Sequence, residues 1–572
     1  MASKQAQVIE SPFAVDLNIP VIDIPSYVFS TRNPQEKAKP VYFDARNPSV
    51  NLSLQEAEVY VKRLARGLIA LGLQPGDKVL LISQNNLFVP VVLWGVIAAG
   101  CVFTAASPGA SAYELCHQFR DSDSKLVLAG PSQVDVAREA IVQAGQDPKC
   151  LYVFDGALDN RSSSGPATQP PSWTSLFVAA DAIQDWHWKV INTLEDARNT
   201  TAIINYSSGY VGVELSHYNQ IAQVEQIIFK RARVANSDEG RARAARLAES
   251  GERWLAPLPM YHAFGQTYYA MTAPRVGAKV FVMDKFNLLE YLTYIDTYRI
   301  TFINLVPTIV RMIAKVPRPE RFNLKSLQIV GSGSAPLDAE VAQVMNDKFL
   351  QAGICVKQGW GMTETTCNVT GFSPDDFDDG RSIGWVNPTC RLRIVPVPNR
   401  DFSRLEREQD TTVGEIWVSG PNVMKGYWKR PDETASAVLE VDGHRWVRTG
   451  DIGYADKRGC VYIVDRIKEL IKVKGLQVSP AEIEQTLLSH PGVLEAAVVG
   501  ADIGDRECPR AFVVRKNLDV TAESLNDLVK SKLAQHKWLT GGIYFLDKLP
   551  RTGIGKVRKR ALPDPTQRQV KI

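Results

Sequence analysis

The chain lacks the patterns that mark a metal centre, a secretory history or a nucleic-acid partner. Its eight cysteines, at 101, 116, 150, 355, 367, 390, 460 and 508, form no C-x-x-C pair, and its seven histidines are scattered. No zinc-type ligand spacing results, and unpaired thiols suit a reducing compartment. Neither sign of charge prevails: 66 basic residues against 62 acidic leave a net charge of +4, which implies no nucleic-acid partner. The opening Met1-Ala-Ser-Lys-Gln5 has no apolar signal core. One run, Leu87 to Phe103, resembles a membrane span, but it is 17 residues long and contains Pro90. A span needs roughly 20 residues, so this run predicts a buried core helix and no transmembrane segment. There is no internal repeat. The sequence carries no sign of oligomeric state.

What remains is an ordinary globular composition, 45% hydrophobic and 22% charged, in a chain of 572 residues that is too long for one simple core. Helical and strand patterns alternate between residues 51 and 130. Ala57 to Leu73 is helix-like, with Val59, Val61, Leu64, Leu68 and Leu71 on one side. Pro75-Gly76-Asp77 is a turn, and Lys78 to Ile82 is a buried strand. Lys279 to Met283, Phe302 to Val306 and Leu327 to Val330 are further buried strands. The pattern predicts an α/β fold with a large N-terminal domain of parallel-sheet subdomains. Shorter strands after Thr412 add a β-rich subdomain. The division falls between 1–466 and a small α+β C-terminal domain at 467–572. Arg231 to Arg253 is predicted to be an exposed helix or mobile insertion, its cations a solvated face.

The chemistry concentrates in a few motifs. Gln358-Gly-Trp-Gly-Met-Thr-Glu-Thr365 follows a strand-like run at 354–356. Its glycines allow close backbone approach to a ligand, and Glu364 is a hard oxygen donor suited to Mg²⁺. The plainer alternative is a turn in which Thr363 caps a helix. At Thr449-Gly450-Asp451 the carboxylate either accepts both hydroxyls of a ribose or simply closes a turn. Arg466, Lys468, Lys472 and Lys474 place four cations within nine residues, enough to manage polyphosphate charge. Pro550-Arg-Thr-Gly-Ile-Gly-Lys556 sets a lysine on a glycine-rich loop, where it can meet a developing anion. This loop is not a Walker A motif: Pro550 stands where the first glycine belongs, and Val557 replaces the Ser/Thr.

The order of these motifs resembles the adenylate-forming (AMP-binding) superfamily, and within it the 4-coumarate:CoA ligase-like acyl-CoA synthetases. Leu258 to His262, Gly333 to Leu337, Gly414-Glu415, Gly426-Tyr-Trp428 and Asp465 to Glu469 complete the match, which covers nearly the whole chain. The resemblance implies ATP-dependent activation of a carboxylic acid as acyl-AMP, then transfer to CoA, with Mg²⁺ as cofactor. It implies that Gly333, Ser334, Ala335, Pro336, Gln358, Gly359, Trp360, Gly361 and Met362 hold adenine and acyl group. Ser207, Ser208, Gly209 and Thr363 would contact phosphate. Glu364 would hold Mg²⁺, and Asp451 and Arg466 the ribose. Lys556, Lys472 and Gln477 would serve catalysis, Lys474-Gly475 would contact CoA, and Lys468 would be the hinge. His262 and Phe264 would line the acyl pocket with Trp360, His262 alternatively being a satisfied core residue. The acid would be aryl, arylpropenoic or medium-chain. The location would be cytoplasmic, or peroxisomal through Val570-Lys571-Ile572.

The chain departs from the family pattern at one place. Tyr-Ser-Ser-Gly-Thr-Thr-Gly-x-Pro-Lys-Gly-Val is expected, and Tyr206-Ser-Ser-Gly-Tyr-Val-Gly-Val213 stands there, four residues shorter. Three explanations stay open: coding sequence removed as a false intron, an enzyme that works with a short loop, or a relative that binds nucleotide or acyl-CoA without adenylating. A stand-alone adenylation enzyme that loads a carrier protein is a further alternative. The chain ends soon after Lys556, without room for a fused carrier.

Overall fold

The computed structural model describes residues 6–13, 15–30, 33–156, 170–206, 211–397, 412–467, 471–473, 476–478, 480–503, 506–533, 535–551 and 557–563. Two seven-stranded sheets form the large domain. In the first, Val356–Gln358, Ile329–Ser332, Phe302–Leu305, Arg253–Ala256, Lys279–Val282 and Pro40–Asp44 lie side by side in parallel, and Asn51–Ser53 closes one edge antiparallel. In the second, Leu151–Val153, Ser124–Ala129, Lys78–Ile82, Val102–Ala106 and Thr201–Tyr206 run parallel. Gly212–Ser216 and Gly426–Tyr427 then add on antiparallel. Strands such as Phe302–Leu305 are buried throughout, as a sheet covered on both faces requires.

The third sheet is antiparallel, in the order Gln7–Glu10, Arg391–Val395, Gly414–Ser419, His444–Ala455 and Val438–Val441. Val461–Arg466 pairs with the far end of His444–Ala455. At the C-terminal end, Val493–Ile503 and Arg506–Arg515 form a hairpin, and Ile543–Phe545 joins it in parallel. Helices Pro480–Leu488 and Ala522–Lys532 pack on this sheet through Ile483, Leu487, Leu525 and Val529, giving it a core of its own.

The apolar run predicted as a core helix is one: Val89–Ala98 is buried at every residue. Among the described residues no helix is long and apolar enough to cross a membrane. The helix predicted from Ala57 spans Leu54–Ala70 instead, because Ser53 and Glu56 form a capping box that starts it a turn earlier. The segment Arg231 to Arg253 contains helix Asp238–Ser250, but its cations are not all solvated. Arg243 is buried against Asp375, and Arg231 against Glu252. The repeating pattern of charge and alanine concealed these two buried partners.

Parallel strands end together, so the loops after Ser332, Gln358 and Tyr206 gather at the carboxyl edges of the sheets. Open α/β sheets place their ligands there.

Candidate active site

Gln358, the last residue of its strand, braces the loop beside it. Its side-chain oxygen accepts a hydrogen bond from the Leu337 amide at 3.1 Å, and its side-chain nitrogen donates to the Gly380 carbonyl at 2.8 Å. Its backbone N–H donates to Asp378 at 2.6 Å. Burial pushes the Asp378 carboxyl up to about 6, against the pull of the two backbone amides it accepts. The Gly333–Leu337 loop held in this way contains Ser334 at φ +77°, a left-handed conformation that non-glycine residues seldom adopt outside functional sites. Gly361 has no room for a side chain, because a Cβ there would collide with the Cys367 carbonyl.

The turn Thr363–Thr365 follows. Its capping hydroxyl belongs to Thr365, which accepts from the Met362 amide at 3.1 Å, rather than to Thr363. Glu364 is buried, and the Tyr427 hydroxyl donates to its Oε1 at 3.1 Å. Burial, reinforced by the Glu364 charge, pushes the Tyr427 hydroxyl up, so it remains a donor. Among the described residues no three His, Cys, Asp or Glu side chains could enclose a metal. One carboxylate fits Mg²⁺ bound mainly through substrate phosphates and water.

Asp451 closes the opposite side of this wall. It pairs in register with Arg466 across the two strands. Arg466 Nε donates to its Oδ1 at 2.9 Å, and the Trp360 indole donates to its Oδ2 at 2.8 Å. Arg466 is more than half exposed, so the pair adds little stability. It fixes the carboxylate instead. Carboxylate oxygens accept several hydrogen bonds, so the clamped group still suits a ribose diol.

The acyl side is built on the segment after His262. His262 Nδ1 accepts from the Phe264 amide at 3.3 Å, and the chain continues as a π-helix, Gln266–Thr272, a rare form that often marks functional sites. Phe264 stands 3.6 Å from where a Gly333 Cβ would sit. Its ring meets Tyr268 edge-on at 5.4 Å, and Tyr268 stacks on Phe302 at 5.9 Å. The predicted residues whose side chains are described line one cleft of about 2760 Å³: Gly333 to Pro336, Gln358 to Glu364, His262, Phe264, Asp451 and Arg466. The cleft extends onto the C-terminal unit at Arg551 and Val557.

The predicted phosphate loop is framed but not described. Tyr206 pairs with Gly212 at the base of the hairpin. Tyr206 donates to Asp121 at 2.8 Å, Arg430 donates to the same carboxylate at 2.8 Å, and the Trp428 indole donates to the Asp121 carbonyl at 2.9 Å. A Cβ at Gly212 would stand 2.7 Å from Ile204. Ser207, Ser208, Gly209, Lys468, Lys474, Gly475, Lys556 and the terminal tripeptide lie outside the described residues. Lys472 and Gln477 pair through their backbones in a short hairpin, and their side chains lie outside as well.

Sequence reasoning missed a second tier. The helix His217–Ala232 carries Asn219, Gln223, Gln226 and Lys230 on one face. Gln223 donates to Asn368 at 2.9 Å and accepts from the Asn368 amide at 3.0 Å. Lys230 donates to the Gly371 carbonyl at 2.6 Å and to Asn387 at 3.1 Å, and burial lowers its ammonium to about 7. The helix after the hairpin therefore holds the segment that carries Glu364. Polar residues spaced four, three and four apart on a mostly buried helix were the available signal.

The AMP-binding enzyme family matches residues 29–428, and the AMP-binding enzyme C-terminal domain matches residues 482–556. A phenylacetyl-CoA ligase (epaB) of Aspergillus niger is 33% identical, covering 96% of this chain and 97% of its own. A nicotinic acid-CoA ligase (olcI) of Penicillium canescens is 31% identical, covering 96% and 99%. 4-Coumarate–CoA ligase 2 of Oryza sativa subsp. japonica is 32% identical, covering 95% and 93%. Among solved structures, ATP-bound MatB from Rhodopseudomonas palustris superposes with a TM-score of 0.77 at 25% identity, covering 94% and 97%.

Proposed function

The chain belongs to the AMP-binding enzyme family, and on that premise we propose that it is an ATP-dependent acid:CoA ligase working through an acyl-adenylate. A carboxylate oxygen of the acid attacks the α-phosphorus of ATP, an acyl–O–P bond forms and pyrophosphate leaves. The CoA thiol then attacks the acyl carbon, the C–O bond to phosphate breaks, and AMP departs. The observation that carries this reading is the clamp on Asp451, where Trp360 and Arg466 hold a carboxylate across from the braced Gly333–Leu337 loop.

In this reading Gly333 to Pro336 and Trp360 flank the adenine, Thr363 meets phosphate, and Lys556 meets the charge that grows in the first transition state. Glu364, oriented by Tyr427, would hold Mg²⁺, whose charge offsets that of the phosphate oxygens. We divide the chain at 466/467, with Lys468 as the hinge. Lys472, Gln477 and Lys474-Gly475 are brought to the cleft in turn as the small domain rotates. Relatives named for phenylacetate, nicotinic acid and 4-coumarate, with the rings of Phe264, Tyr268 and Phe302, favour an aryl or arylpropenoic acid over a medium-chain one. Two of those relatives are fungal, and a role in secondary metabolism is the matching setting.

Pyrophosphate release and CoA thioester formation with a panel of carboxylic acids test the proposal. If no acid yields pyrophosphate, the ligase reading is lost. The shortened stretch at Gly209 to Gly212 favours one second reading, nucleotide binding without turnover. ATP binding by calorimetry with no pyrophosphate from any acid would select it.

A further inference from the structure

The aromatic ladder from Gly333 through Phe264, Tyr268 and Phe302 ends on a cation. The Arg231 guanidinium lies 4.3 Å from the Phe302 ring centroid and 4.6 Å from that of Trp254. One terminal nitrogen, Nη2, donates to both oxygens of Glu252, at 2.9 and 2.8 Å. Arg231 Nε is buried without a hydrogen-bond partner among the described residues, and so is the side-chain nitrogen of Asn304. Asn304 is 3% exposed, and both residues line the cleft that holds His262 and Phe264. Two unmet donors beside the end of an apolar, ring-lined pocket are costly unless something accepts from them.

We propose that Arg231 and Asn304 set acid specificity by receiving a hydrogen-bond acceptor at the distal end of the substrate. The acid would be flat and aromatic or heteroaromatic, with a hydroxyl, carbonyl or ring nitrogen opposite its carboxylate. This rests on the ligase reading for the identity of the pocket. Glu252 already neutralises Arg231 and accepts from the Trp254 indole at 2.6 Å. A second carboxylate on the substrate would meet that charge, so a neutral acceptor is preferred to an anionic one.

Equilibrium binding and pyrophosphate release are measured with benzoate, 4-hydroxybenzoate, terephthalate, cinnamate, 4-coumarate and isonicotinate. The acids with a neutral acceptor should bind about tenfold or more tighter than their plain counterparts, with terephthalate the weakest of its set. The double variant Arg231→Leu/Glu252→Gln keeps an acceptor for Trp254 and leaves no buried charge. It should shrink that preference to within about threefold while the KM for ATP stays put, because the hydrogen bond to a charged group, worth about tenfold or more, is gone. Asn304→Leu should do so in part and serves if the double variant does not fold. Plain acids binding as well as their counterparts, either folded variant keeping the full preference, or no binding by any acid would overturn the proposal. Binding with the expected preference but no pyrophosphate would sink the ligase reading and leave this one standing.

Discussion

The two walls that flank the predicted phosphate site are held in opposite ways. The wall with Glu364 and Asp451 is braced by side chains that reach across the chain: Gln358 to Leu337, Tyr427 to Glu364, and Trp360 to an aspartate 91 residues away. The corner at Tyr206 and Gly212 is braced from beneath, by backbone pairing and by the Asp121 knot with Arg430 and Trp428. Above that base the sequence is four residues short of the family pattern. On the proposed function, the difference makes gripping the nucleoside separable from handling its polyphosphate. The first depends on a network in which each member fixes another. The second depends on a connection whose length can change while the sheet below stays in register.

The strongest test of the braced wall is Asp451→Ala. It removes the predicted ribose acceptor and strips both Trp360 and Arg466 of theirs. Pyrophosphate release should fall on the order of 100- to 1000-fold, since several charge-assisted contacts are lost together. The melting temperature should fall by a few degrees at most: Arg466 is more than half exposed and turns to water, while the loss of the buried Asp451 leaves the Trp360 indole without its acceptor. Activity within tenfold of the parent would break the claim that this carboxylate anchors the nucleotide.

The next test sharpens the other side. Inserting the missing residues, so that Thr-Thr-Gly-x-Pro-Lys stands between Gly209 and Gly212, should raise the rate of pyrophosphate release by about tenfold, the worth of one or two restored charge-assisted contacts. Thioester formation from a supplied acyl-adenylate should not change, because no polyphosphate remains at that stage. An equal gain in both half-reactions would show that the insertion acts on the fold instead.

A smaller effect is expected at Trp360→Phe, which keeps the ring and deletes only the indole donor to Asp451. About 1 kcal/mol, or roughly fivefold in the KM for ATP, is the expected loss, with kcat nearly unchanged. A larger fall in kcat than in affinity would mean that Trp360 acts on the reaction rather than on the binding of nucleotide.

Local pattern made much of this legible, and its limits are instructive. Lys78–Ile82 has the predicted bounds, and Val89–Ala98 is the buried helix that its unbroken apolar run demands. The predicted residues of the braced wall gather on one cleft because they follow the carboxyl ends of neighbouring strands. What the sequence hid was pairing at a distance. Arg231 stands in a stretch rich in arginine and alanine that looks solvated, and only folding brings Glu252, Trp254 and Phe302 around it. Tyr427 sits in a recognisable block, yet nothing in its neighbours says that its hydroxyl reaches Glu364.

Acid should separate the two regions again, with a modest effect. His217 opens the helix behind the hairpin, and its Nδ1 accepts from the Ile24 amide at 3.1 Å. Burial lowers this histidine to about 4, below its ordinary 6.5. Its folded form resists protonation more than its unfolded form does, so its contribution is complete above pH 6.5 and is lost as pH falls toward 4. Asp378 on the braced wall has the opposite sign. Burial raises it from 3.8 to about 6, so its contribution is greatest below 3.8 and is lost as pH rises through about 6. Thermal melts between pH 7 and pH 5 on His217→Asn, whose amide oxygen can still accept from Ile24, should lose part of the parent's acid sensitivity. The difference at pH 5.5 should be about 1 kcal/mol, the cost of protonating one unfolded histidine a unit below its pKa. A variant as acid-sensitive as the parent would place the acid response elsewhere and remove the base of the hairpin from the comparison.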